Sequence, residues 1–408
     1  MATLVTFLGT TDYKKLQYHF EDKEFSTRYV AAALCHFFPV EHVVVLATED
    51  AEKTHGTQLH QALAGRNVSF RRIPYGDGPQ VLRDQFGILL DALNVHEDDA
   101  LILDITHGFR AQSFFAATAL ATLQAAGKLP RDVRIVYGAA PFPSKDGDPA
   151  PIWELSPFFN RLNEAFGAKT FLHTGDASLF VDALLQADDN LRRRARQMGQ
   201  DTAELKTRPL IRALKRFTEE LKLLRVPALT IGFEDRPASS ALLLTALEQY
   251  ADSCRDEHPA LALLLQDIQQ MIQPLPCETL ADRKGHEALL HLAKLFMKWG
   301  QYAEAANVAR EGLVCLYADD ASGTDAGFSL FSKEAREEAE ERTRAYRENR
   351  IVAGIRNTIE HCAFQEMPEF RRREQAHWDP ERTHPLRRDL NRLIHVFEQQ
   401  VKNGNHQG

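Results

Sequence analysis

Five short apolar runs in the first 140 residues, at 4–8, 43–47, 68–73, 100–104 and 133–137, constrain the fold most. Each of them except 68–73 has at most one polar residue, so a strand built from it has little surface suited to water. Such strands belong in a parallel sheet covered on both sides. The intervening segments 25–38, 58–64, 80–93 and 111–126 have helical composition and serve as crossovers. The expected class is α/β plus all-α, with a Rossmann-like parallel sheet first. A dinucleotide-dependent oxidoreductase is not indicated, because Gly9, Thr10 and Thr11 after the first run lack the further glycines of that fingerprint. No phosphate-loop lysine motif is present either.

Within this region LILDITHGFRAQSFFAATALATL, residues 101–123, reads as a buried strand, a tight polar turn and a helix. Ligands of doubly wound sheets collect outside the carboxyl ends of the strands, where helix amino termini present free N–H groups and partial positive charge. Asp104 ends the strand, and Thr106, His107 and Gly108 make the turn. Thr106 or Ser113 is expected to cap the helix, Gly108 to admit a ligand to the backbone, and Arg110 to grip phosphate. Gly9, Thr10 and Thr11 lie on the same sheet edge, and Thr48 after the second run joins them. The row suits phosphates and ribose hydroxyls. The same residues also describe ordinary strand-to-helix turns with a solvated histidine at the tip.

Residues 138–157, rich in Pro, Gly and Asp, mark the end of the sheet domain or an appended β-hairpin. Beyond 158, amphipathic helices are expected at 176–197, 202–224, 239–254 and 259–272, with a short strand at 225–233. The basic run RRRAR at 192–196 reads as a solvated helix face. Pro274 and Pro276 suggest a boundary. The following GHEALLHLAKLFMKWGQYAEAANVAREGLVCL resembles one helical hairpin of a tetratricopeptide repeat and does not recur, which argues against a solenoid. The expected division is 1–157, 158–275 and 276–408.

No run of eighteen apolar residues occurs, and MATLVTFLGTTDY has no basic leader, so neither a membrane span nor a signal peptide is expected. Cys35, Cys254, Cys277, Cys315 and Cys362 are scattered, which favours a reducing cytoplasm over a cysteine-based zinc site. A net charge of −8 does not suggest a protein that coats nucleic acid by its overall field, so any RNA contact is expected to be local.

DITHGFR matches the Asp-x-Thr-His-Gly motif of the CRISPR-associated DxTHG proteins, and LGTTDY, VRIVYGAAPF and PIWELSPFFNRLNEAF extend the match. The chain thus resembles a family that joins a CARF sensor domain to a HEPN ribonuclease domain. The resemblance implies a receptor for cyclic oligoadenylate, cyclic tetra-adenylate by analogy with relatives, acting in type III CRISPR antiviral defence. It implies no metal and no cofactor beyond that activator. It also implies a homodimer or higher even oligomer acting on single-stranded RNA and sparing DNA.

In RIVAGIRNTIEHCAF, Arg356, Asn357 and His361 follow the Arg-polar-x-x-x-His pattern of HEPN ribonucleases. On a helix Asn357 and His361 share a side, while Arg356 lies roughly 140° from His361. Two such helices facing across a two-fold axis would surround one cleft. His361 would act as general base or acid, Arg356 would stabilise phosphorane charge, and Asn357 would orient the histidine or the phosphate. Arg372 and His377 share the spacing but lie between Pro368 and Pro380, and Arg356 also suits an ion pair with Glu360. A non-catalytic, ligand-responsive regulator remains an alternative, as does a nuclease that opens its own cyclic ligand with help from His107.

Overall fold

The structure, a computed structural model, describes residues 2–76, 78–96, 99–130, 132–197, 207–233, 235–254, 259–321, 336–337, 339–341 and 385–403. Packing divides the chain into two units, Met1–Leu162 and Asn163–Gly408.

The first unit holds β1 (Ala2–Leu8), β2 (Leu16–Phe20), β3 (Lys23–Thr27), α1 (Val30–Phe37), β4 (His42–Ala47), α2 (Glu49–Ala62), β5 (Asn67–Arg72), α3 (Pro79–Leu93), β6 (Ala100–Asp104), α4 (Arg110–Ala125), β7 (Asp132–Gly138) and β8 (Pro149–Glu154). The strands form one sheet in the order β3-β2-β8-β7-β6-β1-β4-β5. The five apolar runs form its parallel part: β1 pairs with β4 and β6, β4 with β5, and β6 with β7; β5 is an edge strand and, against the expectation of cover on both sides, is exposed along most of its length. Adjacent residues of one strand point to opposite faces. Leu4, Leu8 and Ile102 accordingly enter one core with Leu34 of α1 and Leu59 of α2. Val5, Phe7, Leu101 and Leu103 enter the other with Leu89 of α3 and Leu120 of α4. Stripping water from each such side chain stabilises by roughly 1.5–3 kcal/mol.

The appended hairpin is present, with β8 antiparallel to β7 and parallel to β2. The single helix expected over 25–38 is not: Lys23–Thr27 is a strand, and α1 begins only at Val30. Leu16, Tyr18 and Phe20 alternate into the core, and Glu21 turns the chain at φ 54°. The hairpin β2-β3 thereby extends the sheet edge.

The helices that follow are α5 (Ser156–Thr174), α6 (Ser178–Gln197), α7 (Thr207–Lys222), α8 (Val226–Thr230), α9 (Ser239–Cys254), α10 (Pro259–Ile272), α11 (Arg283–Lys298), α12 (Tyr302–Ala321) and α13 (Pro385–Asn403). The strand expected at 225–233 is the helical turn α8, with Pro227 supplying a helix-compatible φ in the first turn; only an isolated bridge joins Phe233 to Arg236. One hydrophobic core runs through this unit. Leu265, Ile272, Leu275, Cys277 and Leu280 lie in it on both sides of Pro274 and Pro276, so packing is continuous across the boundary expected there. α11 and α12 form the expected helical hairpin, turned by Gly300 at φ 75°. Among the described residues no helix is long and apolar enough to cross a membrane.

Gly167 of α5 lets the chain pass close to the start of α6, since a Cβ there would stand 2.5 Å from Phe180 Cα. Backbone cannot swing aside as a side chain can. Gly167→Ala should therefore lose about 2 kcal/mol in chemical unfolding, its overpacking outweighing a helix-propensity gain of up to ~1 kcal/mol. Gly87→Ala in α3, where nothing lies within 4 Å, should be neutral or stabilising by up to ~1 kcal/mol.

Candidate functional site

The carboxyl ends of β1, β6 and β7 meet at one buried side chain. Asp104 is fully buried, and its Oδ2 accepts a hydrogen bond from Thr6 Oγ1 at 2.6 Å. Its Oδ1 accepts from the Thr106 amide at 2.9 Å and from Thr106 Oγ1 at 2.5 Å. Thr106 Oγ1 in turn accepts from the Gly138 amide at 2.8 Å, which ties in the end of β7. Asp104 and Thr106 are thus spent on shaping the edge. A ligand would feel them through the backbone they hold rather than by contact.

The turn after β1 is held in a second network. The Gly9 amide donates to Tyr13 Oη at 2.7 Å. The Tyr13 ring lies between two imidazoles, with centroids 4.8 Å from His55 and 4.5 Å from His107. His55 Nε2 lies 3.0 Å from the Thr11 carbonyl oxygen, and its Nδ1 lies 3.4 Å from Tyr29 Oη, which donates to Gln58 Oε1 at 3.0 Å. Thr10 and Thr11 are exposed above this layer. Burial pushes the Tyr13 phenol up to about 12. Burial also pulls His107 below the usual imidazole value, Asp104 opposing and His55 reinforcing the shift. His107 Nε2 is buried and has no hydrogen-bond partner among the described residues.

The helix after the motif begins at Arg110, with Phe109 at its amino-terminal cap position. Neither Thr106 nor Ser113 caps it, contrary to expectation. Gln112 reaches back instead, its Oε1 accepting from the Phe109 amide at 2.8 Å, because the Thr106 hydroxyl is already committed to Asp104. Gly108 packs tightly, since a Cβ there would stand 3.3 Å from the Phe7 ring. Arg110 is exposed. Phe109 and Tyr75, 52% and 81% exposed, approach to 6.4 Å between ring centroids on this edge. Thr48 caps α2, its side chain accepting from the Ala51 amide at 3.3 Å. Its hydroxyl is therefore engaged in the fold.

The edge brings together Gly9, Asp104, Thr106 and His107, and adds Tyr13, His55 and Tyr75, which were not anticipated. Tyr13 stands inside LGTTDY and was within reach of a reader asking what closes that turn. His55 carries no local signal, since it sits in mid-helix 44 residues from its partner. Arg356, Asn357 and His361 lie outside the described residues, as do Arg372 and His377. Among the described residues no cluster of three or more His, Cys, Asp or Glu side chains suits a metal ion. Cys35, Cys277 and Cys315 are buried free thiols, raised by burial to about 11, 11 and 12, and are inert as nucleophiles.

Fold and edge chemistry together define a Rossmann-like domain suited to a phosphate-bearing ligand. Residues 3–141 match the family described as "CRISPR system endoribonuclease Csx1, CARF domain". The amino-terminal unit is thus similar over these residues to the CARF domains of CRISPR-associated proteins, in keeping with its DITHGFR motif. Among solved structures, the chain is similar to Enterococcus italicus Csm6 bound to cyclic hexa-2′-fluoro-hexa-dAMP, with 11% identity, 99% of this chain and 94% of that one covered, and a TM-score of 0.44. No curated protein matches the chain.

Two outcomes follow from the edge. Asp104→Ala, which leaves two hydroxyls and an amide without their acceptor, should lower unfolding stability by about 3 kcal/mol, and Asp104→Asn by less. The His107 value is depressed in the folded state, so below the unfolded value of about 6.5 the unfolded chain binds the extra proton. Stability should fall as pH drops through that point until the lowered folded value is passed. Thermal midpoints taken between pH 7 and 5 should decline less steeply in His107→Gln than in wild type.

Proposed function

We propose that this protein is a cyclic-oligoadenylate receptor that switches on metal-independent cleavage of single-stranded RNA in type III CRISPR antiviral defence. The observation that carries the reading is the placement of the Asp-x-Thr-His-Gly turn beside the Gly9–Thr11 loop, on the carboxyl edge of a sheet whose residues 3–141 match the CARF family. Ring phosphates would meet the hydroxyls of Thr10 and Thr11, the amides at the start of α4, and Arg110. Phe109 and Tyr75 offer faces on which bases stack, each such contact contributing roughly 1–3 kcal/mol.

The output rests on the sequence motif around Arg356, Asn357 and His361. In the reaction the 2′-oxygen of the RNA attacks the adjacent phosphorus and the bond to the 5′-oxygen breaks. His361 takes the proton from the 2′-hydroxyl or delivers one to the leaving oxygen. Arg356 balances the charge that develops on the phosphoryl oxygens, and Asn357 orients the histidine or the phosphate. Pairing of two chains would bring two such sets to one cleft. The ligand activates by binding the cleavage-competent arrangement more tightly than the idle one.

Purified protein incubated in EDTA with fluorescent single-stranded RNA, alone and with cyclic tri-, tetra-, penta- and hexa-adenylate, tests this. Cleavage should require one ring size, tetra-adenylate in our reading. It should fall at least ~100-fold in Arg356→Ala and His361→Ala and persist in His377→Ala. Binding of a ring without any RNA cleavage would replace this reading with that of a non-catalytic regulator. Linear products from the ring itself would add cleavage of the ligand to its functions.

A further inference from the structure

The loop most exposed to a ligand at the sheet edge is fixed from beneath by two side chains outside the motif. We propose that Tyr13 and His55 are positioning residues that hold the Gly9–Thr11 loop in its binding shape before any ligand arrives. A glycine-containing turn has wide conformational freedom and must lose it to bind. Here two backbone groups of the loop, one at each end, are claimed: the Gly9 amide by Tyr13 Oη at 2.7 Å and the Thr11 carbonyl by His55 Nε2 at 3.0 Å. A carbonyl only accepts, so the contact fixes the proton of His55 on Nε2. The two claimants pack against one another in a tilted arrangement, 4.8 Å between ring centroids and 59° between planes. Both are more than nine-tenths buried, and Tyr29 backs the imidazole from the far side at 3.4 Å from Nδ1. The clamp thus joins β1's turn, α2 and the residue preceding α1. Thr10 and Thr11 are left exposed above it, and binding then need not order the loop.

The same arrangement assigns Tyr13 a second effect. Its hydroxyl occupies the amide that an anion would otherwise seek at Gly9, so phosphate recognition at this loop falls to the exposed Thr10 and Thr11 and not to the glycine N–H.

The ligand arm of the test rests on the proposed reading as a cyclic-oligoadenylate receptor; the exchange arm does not. Amide hydrogen exchange of the ligand-free full-length chain, read on peptides spanning residues 8–13, should quicken roughly tenfold in Tyr13→Phe and His55→Ala, as expected for loss of one net hydrogen bond. It should stay close to wild type in His55→Gln, whose amide keeps a donor for Thr11. Affinity for cyclic tetra- and hexa-adenylate, whichever wild type binds, should fall by a similar factor in the first two variants and recover in the third. Thermal midpoints should separate these effects from loss of fold, since Tyr13→Phe keeps the ring contact and His55→Gln keeps most of the packed volume. Unchanged exchange in both Tyr13→Phe and His55→Ala would overturn the clamp. Quickened exchange with undiminished affinity would overturn its positioning role. A tighter ring in Tyr13→Phe would show that the tyrosine competes with the ligand for Gly9, and would overturn the assignment to the threonines. A wild type that binds neither ring would sink the receptor reading, leaving the exchange arm to decide the clamp.

Discussion

The edge on which the first unit's chemistry depends is organised by one buried carboxyl group. Asp104 is the last residue of β6, and three donors converge on it from β1 and from the turn that follows. Thr106 passes the constraint on to β7. An acceptor-rich group with no exposure is costly unless every lone-pair direction is used. Its satisfaction therefore demands that the three strand ends keep one mutual register. The turn carrying His107 and Gly108 inherits that rigidity. Asp-x-Thr is here both an ordinary strand exit and the base of a binding edge, and the two readings of the motif are not rivals.

How legible this was depended on the range over which the information acts. Runs with at most one polar residue leave a strand little solvent face, and four took interior places in the sheet, whereas 68–73, with Ser69, Arg71 and Arg72, became the exposed edge strand β5. The β2-β3 hairpin went unrecognised because the helix-forming run VAAALCHFF drew the preceding KEFST into one segment, although LQYHF carries a clear period of two. Thr48 was placed at the correct edge. Its engagement as a helix cap could also have been read, since Glu49, Asp50 and Glu52 follow it in the pattern of a helix start. His55 could not, because its contact with Thr11 exists only once α2 has packed on the sheet.

The second unit shows the opposite balance. Four of its helices, α6, α7, α9 and α10, and the hairpin of α11 and α12 were placed within a few residues, because amphipathic periodicity is local; α5 and α13 were not anticipated. Its continuity was not, because Pro274 and Pro276 look like punctuation while Leu275 between them is fully buried in the shared core. Prolines end helices, but they do not end domains when the residues around them have a core to enter. Gly167 carries the same lesson: its small size matters only because the backbone at Phe180 lies against it.

The Gly9–Tyr13 contact has a consequence for how such a loop can change through descent. A Cβ at residue 9 would stand 3.3 Å from Tyr13 Oη, so a side chain at one position crowds the hydroxyl at the other. The two sites are therefore coupled. A lineage that acquires alanine or serine at 9 would be expected to shed the hydroxyl at 13 first, and the compensating pair would leave the loop with a free amide and a different taste in anions.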